Sequence, residues 1–103
     1  MTYPVKDEQL TAVDKRRLDR LYAALLTLTS KGEYAAFMRD LCTLTELKAL
    51  GERFAIAELL SKDATYRGAS DETNASTTTV TRVAHWLNHG MGGYRTALSR
   101  MKR

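Results

Sequence analysis

The sequence predicts an all-α fold of about six helices, two of which form a helix-turn-helix. Apolar residues recur at helical spacing through almost the whole chain after Asp14. Capping signatures led by a hydroxyl or a carboxylate punctuate that pattern at short intervals. The single proline, Pro4, precedes all of it, so no helix interior is interrupted by a residue that lacks an amide hydrogen.

The first helix is expected over about 14–29, capped by Asp14 and carrying Leu18, Leu21, Tyr22, Leu25 and Leu28. Ser30-Lys-Gly-Glu33 matches the reciprocal pattern in which a hydroxyl and a carboxylate satisfy free amides, so the second helix is expected over about 31–41. Thr43-Leu-Thr-Glu46 repeats the signature ahead of a third helix, about 44–62. Leu47, Leu50, Phe54 and Ala57 form its apolar stripe, with Ile56, Leu59 and Leu60 beside it; so broad an arc marks the central helix.

The texture then changes. Asp63-Ala-Thr65 offers a cap for a short helix to about Glu72, Thr73-Asn-Ala75 interrupts it, and Ser76 caps another. Two helices so closely joined suggest a helix-turn-helix at about 65–88. Asn74 suits the turn because asparagine tolerates the left-handed backbone. The threonines from Thr73 to Thr81 argue for a strand on propensity. Val80, Val83, Ala84 and Leu87 argue for a helix from about Ser76 to Asn88, since a strand would split them between two faces. Gly90-Met-Gly-Gly93 ends that helix, and a last one is expected over about 94–102.

A chain of 103 residues fits one domain, 1–103, whose modest core would gain from oligomerisation. Cys42 is the only cysteine, which excludes an intrachain disulfide and a cysteine-rich metal site and reads as a reduced, packed thiol. The start of the chain has no apolar signal core, and the longest apolar run, Leu21 to Leu26, is too short to span a bilayer. A cytoplasmic protein without a membrane partner is expected. The formal charge of +4 is unevenly spread. Residues 1–66 are balanced, whereas residues 67–103 carry six basic side chains against Asp71 and Glu72, with no carboxylate side chain beyond Glu72. That bias favours a polyanion such as a phosphate backbone.

With Val80 at the buried pole, residues at 100° intervals put Thr78, Thr81, Arg82, His85 and His89 on the outward arc. Threonine can exchange hydrogen bonds with base edges and touch a thymine methyl, and arginine can read guanine or grip phosphate. The first turns of a second helix reach base edges in a helix-turn-helix, which favours Thr77, Thr78 and Thr81 as readers. Ser76, Arg82 and His85, with Arg67 on the preceding short helix, complete the candidate DNA-binding set. His85 and His89 stand four apart, a spacing that lets two imidazoles share a metal, but Trp86 follows the first and no carboxylate completes a shell. No metal site is therefore expected. Nothing orients Cys42 as a nucleophile, and the glycine cluster has no preceding strand to make a phosphate loop, so no enzyme is expected.

Cys42-Thr-Leu-Thr-Glu-Leu-Lys-Ala-Leu-Gly-Glu-Arg53 and the stretch from Thr65 to Val83 resemble the tryptophan-repressor superfamily. His85-Trp-Leu-Asn-His-Gly-Met-Gly-Gly-Tyr94 resembles its repressor-related, uncharacterised bacterial branch more closely still, and the likeness covers about 34–98. The resemblance implies an intertwined helical homodimer that binds double-stranded DNA at a palindromic operator and acts as a transcriptional regulator, a repressor in kind. Helix-turn-helix docking with half-sites one turn apart comes from that resemblance and not from the residues. By motif, Arg53 and Arg82 match the two arginines that frame tryptophan in the repressor, but Val83 stands where the repressor has a glycine. A β-branched side chain there should fill the space of a flat ring. Arg53, Arg82 and Val83 are thus candidate residues for an effector of unknown identity, and tryptophan is not the expected corepressor. The alternative is a helical protein-interaction module without DNA binding, motivated by the modest charge and by Gly68, which weakens the short helix.

Overall fold

A computed structural model describes residues 9–101, and the statements below concern those residues. They form six α-helices and no strand: α1 (Ala12–Leu25), α2 (Lys31–Leu41), α3 (Leu44–Ser61), α4 (Tyr66–Thr73), α5 (Thr77–His89) and α6 (Gly93–Met101). The chain divides into two compact units, Met1–Leu41 and Cys42–Arg103.

In the first unit, α1 starts earlier than Asp14. Thr11 is the cap: its hydroxyl accepts from the Asp14 amide at 3.0 Å, and the Thr11 amide donates to the Asp14 carboxylate at 3.0 Å. Asp14 is thus the inner partner of a capping box. The helix also stops at Leu25 instead of near 29: the Thr27 and Leu28 amides turn back to the Ala24 and Leu25 carbonyls at 3.1 and 3.2 Å, the Thr27 hydroxyl donates to the Ala24 carbonyl at 2.7 Å, and Thr29 and Ser30 already serve the next helix. The Thr29 amide donates to Glu33 Oε1 at 2.8 Å, and the Glu33 amide donates to Ser30 Oγ at 3.1 Å. The Ser30 hydroxyl thus caps α2 at the expected range, while the carboxylate reaches the Thr29 amide in place of the Ser30 amide that the reciprocal pattern calls for. Neither α1 nor α2 contains a buried residue.

The second unit is built around α3, which packs against α4, α5 and α6 as its broad apolar arc suggested. Thr43 and Glu46 close its capping box at 3.1 and 2.8 Å. The core joins Ile56 and Ala57 of α3, Ala69 of α4, Val80, Val83 and Leu87 of α5, and Leu98 of α6. Only the C-terminal half of the α3 stripe is covered this way, for Leu44 is 58% and Leu50 41% exposed.

Within the triplet Asp63-Ala-Thr65, Asp63 ends α3 and Thr65 opens α4. The aspartate takes the left-handed conformation, φ 67°, while the Asp63 amide donates to the Leu60 carbonyl at 3.1 Å and the Ala64 amide to the Leu59 carbonyl at 3.0 Å. These are the two bonds of a Schellman stop. The cap of α4 is Thr65, whose hydroxyl accepts from the Gly68 amide at 2.9 Å. A Cβ at Gly68 would stand 3.0 Å from that same hydroxyl, so the glycine that lowers helix propensity also clears room for the cap.

At the far end of α5, a Cβ at Gly90 would lie 2.4 Å from the Trp86 carbonyl oxygen, a backbone atom that cannot move aside cheaply. Arg95 then ties α6 back, its Nε donating to the Leu87 carbonyl at 3.2 Å and its Nη2 to Asn88 Oδ1 at 2.9 Å. Gly90→Ala is accordingly expected to destabilise the protein by about 1–3 kcal/mol, the usual cost of overpacking, as measured by urea unfolding.

Candidate nucleic-acid interface

The α4-turn-α5 segment is assembled from its own hydroxyls. Asn74 caps α4 in the left-handed region at φ 61°, as a tight turn requires. Thr73 Oγ1 donates to the Ala69 carbonyl at 2.7 Å and accepts from the Ala75 amide at 3.2 Å, while Ser70 Oγ donates to the Ala75 carbonyl at 2.6 Å. Both backbone groups of Ala75 are therefore satisfied within the turn, which lets its side chain enter the core. Ser76 begins α5: its Oγ accepts from the Thr79 amide at 3.1 Å and lies 3.0 Å from Thr79 Oγ1.

Helix, not strand, is the outcome for the threonine-rich stretch. Val80, Val83, Ala84 and Leu87 are buried, and Thr77, Thr78, Thr81 and Arg82 are exposed. Thr81 Oγ1 donates to the Thr77 carbonyl at 2.9 Å, so its proton is engaged and the oxygen presents lone pairs outward. Ser76 faces solvent but its hydroxyl is committed to the cap. Arg67 is exposed in the first turn of α4. His85 is half-buried, its ring set edge-on to Trp86 with centroids 4.7 Å apart. Neither α5 nor α6 contains an acidic side chain; the carboxylates of the neighbouring α4 are Asp71 and Glu72.

Arg53, Arg82 and Val83, which the sequence groups only through a resemblance, meet in one cavity of about 310 Å³. Thr79, Trp86 and Tyr94 complete its lining, and no carboxylate enters it. Val83 is only 3% exposed and belongs to the core, so its side chain is part of the floor and not a mobile wall. Burial pushes the Tyr94 phenol above its usual value of 10.0, and the Arg53 guanidinium pulls it the other way. Phe54 backs Tyr94, with ring centroids 6.3 Å apart. Trp86 and Tyr94 escaped the sequence reading as cavity residues. Trp86 was within reach, since it lies one helical turn beyond Arg82.

Residues 16–102 match the Trp repressor protein family. The chain belongs to the Trp repressor family. Among relatives, it is 37% identical over 94 residues to YerC of Bacillus subtilis (strain 168), named as uncharacterised, covering 91% of this chain and 90% of that one. A solved TrpR-like protein from Eubacterium eligens ATCC 27750 superposes with a TM-score of 0.80 at 34% identity, covering 84% of this chain and 90% of the other. A Staphylococcus aureus structure provisionally named as a Trp repressor gives a TM-score of 0.80 at 35% identity, covering 89% and 95%. This Trp repressor family chain thus has the expected all-α fold, in the repressor-related branch that the tail motif suggested.

The Tyr94 environment has a measurable consequence. The folded state holds its phenol proton at pH values where the unfolded chain releases it, so stability falls as pH rises past the ordinary tyrosine value near 10.0. Urea unfolding between about pH 9 and pH 11 should show that fall in the wild type, and a smaller one in Tyr94→Phe. Arg53→Gln removes the opposing cation and should move the phenol's ultraviolet titration upward.

Proposed function

We propose that this protein is a sequence-specific DNA-binding transcriptional regulator, a repressor in kind, that works as a homodimer on a palindromic operator. The observation that carries the reading is the outward arc of α5, where Thr77, Thr78, Thr81 and Arg82 are exposed on a helix held rigidly by its buried stripe. Base edges would be read by the threonines of the first turns, with Arg82 and His85 beside them and Arg67 on phosphate. Ser76 would contribute chiefly by holding the first turn in place. The Trp repressor family supports a regulator, and the cationic C-terminal third supports a nucleic-acid partner.

A homodimer is supported by uncovered apolar surface. The first unit buries no helix residue and exposes Tyr22, Leu26, Tyr34 and Leu41, and in the second unit the start of α3 exposes Leu44 and Leu50. Two copies could cover these faces and carry two α5 helices to half-sites about 34–36 Å apart. No described helix is long and apolar enough to cross a membrane.

Arg53, Arg82 and Val83 would serve an effector, but not tryptophan, because the buried Val83 side chain and Trp86 already line the space that a flat ring would need. Tryptophan should change DNA affinity by less than about twofold, within the roughly 0.4 kcal/mol that marks no useful coupling.

Titrating genomic DNA fragments at several salt concentrations tests the main reading. A few fragments should bind far more tightly than the rest; equal binding to all, or none, would refute it, and nuclease-resistant co-purification with one protein would favour the interaction-module alternative. On a selected site, Thr81→Ala should relax base preference by about 1–3 kcal/mol at one position. Arg67→Ala should weaken all sites alike and reduce the salt slope by about one.

A further inference from the structure

We infer that His85 and His89 form an open, two-imidazole site for a divalent transition-metal ion on the outward arc of α5. The two rings have centroids 5.4 Å apart and are inclined at 48°. With metal–nitrogen bonds of about 2.0–2.1 Å and a ring radius of about 1.2 Å, two imidazoles held at a tetrahedral angle have centroids about 5.3 Å apart. The helix therefore already offers the separation that shared coordination needs.

A second observation bears on the same pair. His85 is set edge-on against Trp86 at a centroid distance of 4.7 Å and an interplanar angle of 89°, so one ligand is oriented before any ion arrives. His89 is exposed in the last turn, where its side chain has room to adjust to it. Pre-orientation of one ring lowers the conformational cost of bringing both nitrogens to one ion.

The donor set selects the ion. Imidazole suits zinc, nickel and copper and not the hard cations magnesium and calcium. Among the described residues no group of three or more histidine, cysteine or carboxylate ligands assembles, so the protein supplies two ligands and leaves the other positions to water or an incoming oxygen. Such a site is neither the closed shell of a structural zinc nor the three-ligand set of a catalytic one. Its place on α5 gives it a role that rests on the DNA-binding reading. A bound ion adds two positive charges to the face offered to phosphate, so metal and DNA should each strengthen the other's binding by the same factor.

Untagged, chelator-stripped protein titrated with zinc or nickel ions by calorimetry tests the site directly. One ion should bind per chain, and His85→Ala or His89→Ala should each weaken it by at least about tenfold, since even an outer-shell partner is worth that much. Circular dichroism of each variant establishes that it remains folded, and Cys42→Ser should leave binding unchanged. Absence of binding to the wild type, binding that survives loss of both imidazoles, or dependence on Cys42 would overturn the assignment. DNA titrations with and without the ion separate the two readings: DNA binding indifferent to metal removes the coupling, whereas no DNA binding under either condition refutes the regulator and leaves the metal site to its own titration.

Discussion

Burial of one stripe of α5 against α3 is the constraint on which the rest of the second unit depends. Val80, Val83 and Leu87 enter a core with Ile56 and Ala57. Each such aliphatic side chain is worth roughly 1.5–3 kcal/mol on full burial. The four threonines of α5 cost at most about 0.7 kcal/mol each relative to alanine. The burial wins, and a segment whose local preference leans toward strand becomes a helix. The same decision turns Thr77, Thr78, Thr81 and Arg82 outward, because a helical stripe buried on one side leaves the opposite arc to solvent.

The turn before α5 makes that orientation definite. Two hydroxyls, from Ser70 and Thr73, satisfy both backbone groups of Ala75, and Asn74 supplies the left-handed step. At the other end, Arg95 binds the Leu87 carbonyl and the Asn88 side chain, so the helix is held at both termini. One element thereby borders two candidate sites. Its outer arc is the candidate reading face, and Arg82, on the flank, also lines the cavity shared with Arg53, Trp86 and Tyr94. Anything that fills that cavity touches the helix that would meet DNA, which is a physical route from an effector to an operator without any distant pathway.

Much of the fold was legible in the residues. The capping signature at Thr43 to Glu46, the hydroxyl half of the one at Ser30 to Glu33, the cap at Ser76 and the turn residue Asn74 hold in the structure, because each is a local exchange of hydrogen bonds within a few residues. The misreadings were also local. Asp14 is a capping-box partner of Thr11, and of the triplet Asp63-Ala-Thr65 that offered a cap for α4, Thr65 supplies it while Asp63 ends α3. In both cases an aspartate suits more than one position near a helix end, and only the backbone conformation distinguishes them.

The sequence alone therefore determined the class, the number of helices, the turn and the sidedness of α5, since these follow from periodicity and short-range hydrogen bonding. It also carried the family likeness, through motifs that the match over residues 16–102 supports. Only the tertiary structure decided which residues share a site. Arg53 and Tyr94 lie 41 positions apart, and their meeting with Arg82 and Trp86 depends on how α3, α5 and α6 pack, which no single helix encodes. The ring separation of His85 and His89 was likewise beyond spacing alone, because side-chain rotamers, with Trp86 against one ring, set where two imidazoles stand.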